Sequence, residues 1–216
     1  MNNDTLISVK RTQIQMVSDR GYDVSNDRYE EFIANFKEKK NLREIFNFNY
    51  PSKIDPKKVL HVHYIDKIYK RDKKGVRKEK INTPDIKDYI SYLNTYILYE
   101  SILIIPVSIG SKALKTLDKF LIESKIKHQI FLEEELTYNP THHIDVPEHI
   151  LLSKNETDIL LRNAKINISM FPLIKINDPI VKYYGWSIGS VLKIKRNDSV
   201  IYLLSENSIN YRIIIG

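Results

Sequence analysis

The chain has 216 residues, 42% of them hydrophobic and 28% charged, with only six Gly and eight Pro, a globular balance that excludes a disordered tail. A formal charge of +7 favours a polyanionic partner or a seat in a large assembly. With no cysteine present, disulfides, thiolate metal sites and cysteine nucleophiles are excluded. The positive excess is spread along the chain: residues 1–140 hold 25 Lys plus Arg against 20 Asp plus Glu, and residues 141–216 hold 9 against 7. It is densest from Lys67 to Lys80, where eight of fourteen residues are basic. The longest apolar run, Ile102 to Val107, is far too short to span a bilayer, and the opening MNNDTLISVKRTQ lacks the apolar segment of a signal peptide. A soluble, intracellular protein with no membrane partner is expected.

In chain order, the first 40 residues read as two helices separated by Gly21, the second marked by Tyr29, Phe32, Ile33 and Phe36 and capped by Ser25 or Asn26. Val59 to Ile65 alternates as a strand, with Leu60, Val62 and Tyr64 on one face and His61 and His63 on the other. A charged turn at Asp72 to Gly75 predicts a hairpin between that strand and Val76 to Ile81. Thr83 as a cap before Pro84 opens a helix whose stripe runs Ile86, Tyr89, Ile90, Leu93 and Ile97. The run SILIIPV, Ser101 to Val107, is apolar on both faces and suits a central strand. Leu114, Leu117 and Leu121 mark the next helix, and His128 to Leu132 a further strand, which together give a helix-covered sheet of α/β type.

The pattern changes at Tyr138 to Pro140, so a domain boundary is expected there, dividing the chain into 1–140 and 141–216. Ser153 and Glu156 make a capping box, and Asp178 with Pro179 starts a helix that stops at Gly185. Three strands close the chain: Val191 to Arg196, Val200 to Ser205 and Ile209 to Ile215. The second domain is thus a small mixed α/β unit, and the chain is α+β overall.

Few residues promise chemistry. His61 and His63 share a strand face as two metal ligands sometimes do, but no third ligand lies nearby, and an ordinary half-exposed face is the plainer reading. The segment HHIDVPEH, His142 to His149, has neither HExxH spacing nor cysteines and reads as a structural turn. Pro84 and Asp85 with Glu123 and Lys125 loosely resemble the PD…ExK arrangement of metal-dependent nucleases. There the ExK belongs on a strand, whereas here Glu123 ends a leucine-striped helix. No catalytic residue, metal site or cofactor is expected.

The C-terminal third resembles the fifth subunit shared by eukaryotic nuclear RNA polymerases I, II and III, and its small archaeal counterpart. The resemblance rests on VPEH at Val146 to His149, SKNETDILL at Ser153 to Leu161, FPLIKINDPIVKYYGWSIGSVLKIKR at Phe171 to Arg196, and NYRIII at Asn210 to Ile215. It continues, more loosely, through DRGY at Asp19 to Tyr22, the SILIIPV strand with the GSKALKTL helix, and FLEEEL at Phe131 to Leu136. The resemblance implies an N-terminal jaw domain with a truncated nuclease-like fold near downstream duplex DNA, and a C-terminal assembly domain that binds the largest subunit. The carboxylates that hold the catalytic metals would lie on the large subunits. The subunit is nuclear in a cellular eukaryote, and belongs to a virion or cytoplasmic factory when a large DNA virus encodes it. Two departures are local: where the family often has TPSA this chain has Gly110, Ser111, Lys112 and Ala113, and Lys182 replaces an arginine, keeping the charge without the guanidinium fork.

The expected DNA contacts are Ser111, Lys112 and Lys115, with Lys73, Lys74 and Arg77 of the basic stretch, because lysine tracks phosphate without reading sequence. The expected large-subunit contacts are Pro147, His149, Asp178, Pro179, Tyr183, Tyr184, Trp186, Arg196, Tyr211 and Arg212. Other polymerase subunits are expected partners, and a homo-oligomer is not. Two rival readings are a divergent nuclease using Asp85, Glu123 and Lys125, and a free-standing DNA-binding transcription regulator.

Overall fold

The computed structural model describes residues 3–34, 42–66, 71–72, 75–76, 80–196 and 208–216. The chain forms two compact units, Met1–Tyr138 and Asn139–Gly216. The first begins with α1 (Asn3–Asp19), α2 (Tyr29–Ala34) and α3 (Leu42–Ile45), then strands β1 (Phe48–Pro51) and β2 (Val59–Tyr64). After a two-stranded ladder of β3 (Arg71–Asp72) and β4 (Gly75–Val76) come α4 (Thr83–Leu93), β5 (Glu100–Ile105), α5 (Ser111–Ser124) and β6 (Lys127–Leu132).

The main sheet runs β1-β2-β5-β6, with β2, β5 and β6 parallel and β1 antiparallel at one edge. A parallel strand covered on both faces must be apolar on both, and every residue of β5 is buried. One face carries Leu103 and Ile105 against Ile86, Tyr89 and Leu93 of α4 and Leu117 of α5. The opposite face is tied to the end of α1 by one ion pair and two further hydrogen bonds. Arg20, just past α1, donates to Glu100 at 2.6 Å and to Gln129 at 2.6 Å, and the Tyr22 hydroxyl donates to the other Glu100 oxygen at 3.0 Å. Gly21 between them takes φ +86°, the left-handed geometry glycine tolerates. Deeper in α1, the fully buried Lys10 meets Asp27 at 2.7 Å, Gln13, the Phe46 carbonyl and the Tyr50 hydroxyl. Burial pulls this ammonium down to about 8 despite Asp27.

Several expectations are corrected here. The partner of β2 on its outer side is β1, not Val76 to Ile81; Val76 pairs with Arg71, and Ile81 bridges Ile109 in parallel. The cap of α4 is Asn82, one residue before Thr83. Its stripe stops at Leu93, so Ile97 lies beyond the helix and is 95% exposed. The second helix starts at Tyr29, too late for Ser25 or Asn26 to cap it. Phe36 and the strand expected at Val200 to Ser205 lie outside the described residues.

The second unit holds β7 (Glu148–Leu151), α6 (Lys154–Ala164), β8 (Leu173–Lys175), α7 (Pro179–Tyr184), β9 (Val191–Arg196) and β10 (Ser208–Ile215). Its sheet runs β7-β9-β10-β8, and Ile174, Val181, Leu192 and Ile214 form its buried centre. The caps follow the sequence: Ser153 and Glu156 exchange side chain to backbone bonds at 3.2 and 2.8 Å, and Asp178 accepts from Ile180 at 2.9 Å. Gly185 ends α7 at φ +66°. Among the described residues, no helix is long and apolar enough to cross a membrane.

Candidate DNA and subunit interfaces

In an open parallel sheet, helix N-termini and strand C-termini share one end, where ligands meet such folds. In the first unit that end carries the loop from β5 to α5. The segment before α4 pins it, because Ile81 donates to the Ser108 carbonyl at 3.1 Å and Gly110 donates back to Ile81 at 2.9 Å. A Cβ on Gly110 would sit 3.3 Å from that Ile81 carbonyl, so the close approach favours glycine. On this support Ser111, Lys112 and Lys115 are exposed, and the first turn of α5 has no acidic residue. Lys80, exposed beside Ile81, is brought to the same loop by the bridge. Its link to this loop is invisible in sequence, although it closes the densest basic stretch. Lys73, Lys74 and Arg77 lie outside the described residues.

The nuclease-like carboxylates do other work. Asp85 accepts the Asn82 amide at 2.7 Å and so closes the N-terminus of α4. Glu123 is exposed near the C-terminus of α5, and Lys125 is that helix's left-handed cap at φ +58°. The three sit at a helix start and a helix end, not together on a strand. Glu133 of FLEEEL is buried and bound by Arg43 through Nε at 2.5 Å and Nη2 at 3.0 Å, while Glu135 accepts the Leu132 amide.

His61 and His63 correct a second expectation. Tyr92 and Tyr89 of α4 pack over their face: His61 is buried and stacks on Tyr92 at 4.6 Å between centroids, while His63 is partly buried and lies 4.9 Å from Tyr89. His128 completes the cluster with its Nδ1 2.7 Å from the Ser101 hydroxyl. Burial pulls His61 down to about 3 and His63 and His128 to about 4, which keeps all three neutral near pH 7. Among the described residues, no group of three metal-ligating side chains is found.

In the second unit, Pro147, His149 and Tyr184 come together with Thr141, Val146 and Ile180 around an open cleft of about 320 Å³. The Pro147 carbonyl accepts a hydrogen bond from His149 Nδ1 at 2.7 Å. In the neutral form of the ring that bond places the proton on Nδ1 and makes Nε2 the acceptor. Tyr184 stacks on Trp186, with centroids 4.4 Å apart and planes 9° from parallel. Tyr183 does not join this surface: it is buried and its hydroxyl accepts from Asn139 at 3.0 Å. Asp178 and Pro179 build the start of α7.

Arg196 is exposed at the end of β9. Arg212 donates to the Leu173 carbonyl at 3.3 Å, and Tyr211 packs on Phe171 at 6.0 Å between ring centroids; both lie on β10, which β9 separates from β7. Of the ten expected contacts, Pro147, His149 and Tyr184 line the first cleft. A second cleft, of about 330 Å³ and lined by Leu152, Thr157, Leu161 and Ile168 among others, escaped the sequence reading. Its only local signal is the i, i+4 pair on α6.

Residues 138–214 match the family model for the C-terminal domain of RNA polymerase Rpb5. A Dictyostelium discoideum protein, subunit rpabc1 of DNA-directed RNA polymerases I, II and III, is 33% identical over 88% of this chain and 89% of its own length. The Caenorhabditis elegans subunit RPABC1 is 26% identical over 96% and 94%, and subunit 5B of Arabidopsis thaliana RNA polymerases IV and V is 28% identical over 95% and 87%. These matches fall on one class of protein, subunits of DNA-directed RNA polymerases. The chain belongs to the Rpb5 family.

Proposed function

We propose that the chain is a non-catalytic subunit of a multisubunit DNA-directed RNA polymerase. Residues 141–216 dock it on the largest subunit, and residues 1–140 reach downstream duplex DNA as part of the lower jaw. The observation that carries this reading is a likeness to polymerase subunits that runs through both units, including the Rpb5 C-terminal match. The use of Asp85 as a cap, with Glu123 and Lys125 at the end of a different helix, supports a role without catalysis.

Ser111, Lys112 and Lys115 stand at the start of a 14-residue helix, where backbone N–H groups and ammonium groups both favour phosphate. Such contacts hold a duplex without reading its sequence, so DNA remains able to slide through. The Pro147–His149–Tyr184 cleft, flanked by Trp186, offers the mixture of aromatic surface and a fixed acceptor from which interface hot spots are built. Other polymerase subunits complete the surroundings, the setting is intracellular, and the chain uses no cofactor of its own.

The test is to bind each half to the purified largest subunit. Residues 141–216 should bind and residues 1–140 should not. The opposite result would invert the assignment of roles.

A further inference from the structure

In the second unit β7 lies at an edge of the sheet, and among the described residues β9 is its one strand neighbour. Residues of an antiparallel pair alternate between those bonded to the neighbour and those whose N–H and C=O face away from it. The Leu152 amide donates to the Val191 carbonyl at 3.0 Å, so in the same register Ile150 opposite Lys193 and Glu148 opposite Lys195 are the bonded positions. The backbone groups of His149 and Leu151 therefore point outward, and among the described residues nothing pairs with them. Proteins blunt such edges by keeping them short or placing lysine on them. The opposite edge, β8, is three residues long and ends on Lys175. β7 carries no lysine and ends on Ile150 and the exposed Leu151.

The two clefts of this unit stand at the two ends of this edge. Pro147 and His149 line one at its start, with Ile180 and Tyr184 of α7, and Leu152 lines the other just past its end, with Thr157 and Leu161 of α6. Successive strand residues face opposite sides of a sheet, so His149 and Leu152 serve the two clefts from opposite faces. A strand laid along β7 would alternate in the same way and offer side chains to both. A helix cannot replace it, because its N–H and C=O groups are spent within itself. We propose that the free edge of β7 takes an extended segment of the largest subunit as a further strand, its backbone pairing with His149 and Leu151 and its alternate side chains entering the two clefts. This inference rests on the assembly role proposed for residues 141–216. A second copy of the chain fits less well, since its β7 runs only from Pro147 to the helix cap at Ser153, too short to fill a cleft at each end.

The test uses the full chain and the purified largest subunit. Proline is tolerated on an edge strand where the lost N–H faces outward, so Leu151→Pro removes one outward donor, while Leu151→Ala removes the side chain alone. Leu151→Pro should bind about tenfold or more weakly than Leu151→Ala, as expected when a backbone partner is left unpaired. Amide hydrogen exchange of the unaltered chain needs no variant and decides the matter if Leu151→Pro fails to fold. The His149 and Leu151 amides should exchange freely in the isolated chain and be protected in the complex. Equal affinities of the two folded variants, or unprotected amides in the complex, would overturn strand addition and leave docking standing. Absence of binding by the unaltered chain would overturn both. Self-association of the chain that Leu151→Pro abolishes would assign the edge to a second copy and overturn the proposal.

Discussion

The Asp85 carboxylate accepts the backbone N–H of Asn82 at 2.7 Å, which accounts for its place after Pro84 without any nuclease chemistry. Losing such a cap costs about 1 kcal/mol. Asp85→Ala is therefore expected to lower the urea midpoint of the first unit slightly. The double variant Asp85→Ala, Glu123→Ala should leave nucleotide incorporation by the assembled polymerase nearly unchanged. Lost incorporation with assembly intact would show a catalytic role after all.

Trp186 and Tyr184 form one aromatic surface beside the Pro147–His149 cleft. Trp186→Ala or Tyr184→Ala should weaken binding to the largest subunit by about tenfold or more, as truncation of a buried aromatic anchor does. Trp186 also packs against the core of its own unit, so circular dichroism of each variant must accompany the binding curve. Tyr183→Phe, which removes the hydroxyl that accepts from Asn139, should affect stability and leave the affinity of the folded protein nearly unchanged.

At the carboxyl end of the strands in the first unit's sheet, removing the charges of Lys112 and Lys115 should shorten the lifetime of the polymerase on downstream duplex modestly, and equally for all sequences. The slope of log lifetime against log salt should fall by about one to two. Identical slopes with assembly intact would mean that the loop does not touch DNA.

The buried histidines predict a pH dependence with a definite sign. Folding depresses His63 from 6.5 to about 4, and His61 and His128 comparably, chiefly by burial. The unfolded chain therefore takes up protons first on acidification. The stability these groups leave intact above pH 6.5 is lost as pH falls through the window toward 4. Urea midpoints of the first unit should drop across that window, and His63→Phe, which keeps a ring against Tyr89 and Tyr92, should flatten the drop. A midpoint independent of pH there would contradict the burial.

Many local signals in the sequence were dependable, although the caps expected at Ser25 or Asn26 and at Thr83 were misplaced and the α4 stripe ended before Ile97. The Ser153–Glu156 box, the Asp178–Gly185 helix and the apolar run of β5 each need only neighbours to be recognised, and each forms where expected. The other misses depend on distant partners. The strand Phe48–Pro51 is four residues long and ends in proline, so only its pairing with β2 makes it a strand. His61 and His63 look polar in isolation, yet neutral imidazoles stacked beneath Tyr92 and Tyr89 serve as core. Glu100 precedes an apolar run and looks like a solvent-facing end, but Arg20 and Tyr22, some eighty residues earlier, make its burial tolerable. The same holds for the cleft: Pro147 and His149 meet Tyr184 only through the fold of the second unit.

Affinity purification of the tagged full chain from its source cells tests most directly whether it works as a polymerase subunit. The two large polymerase subunits should return with it in equal molar amounts, and the chain released from them should cut no duplex DNA in the presence of magnesium. Recovery of the chain free of large subunits, or cleavage that Asp85→Ala abolishes, would contradict it.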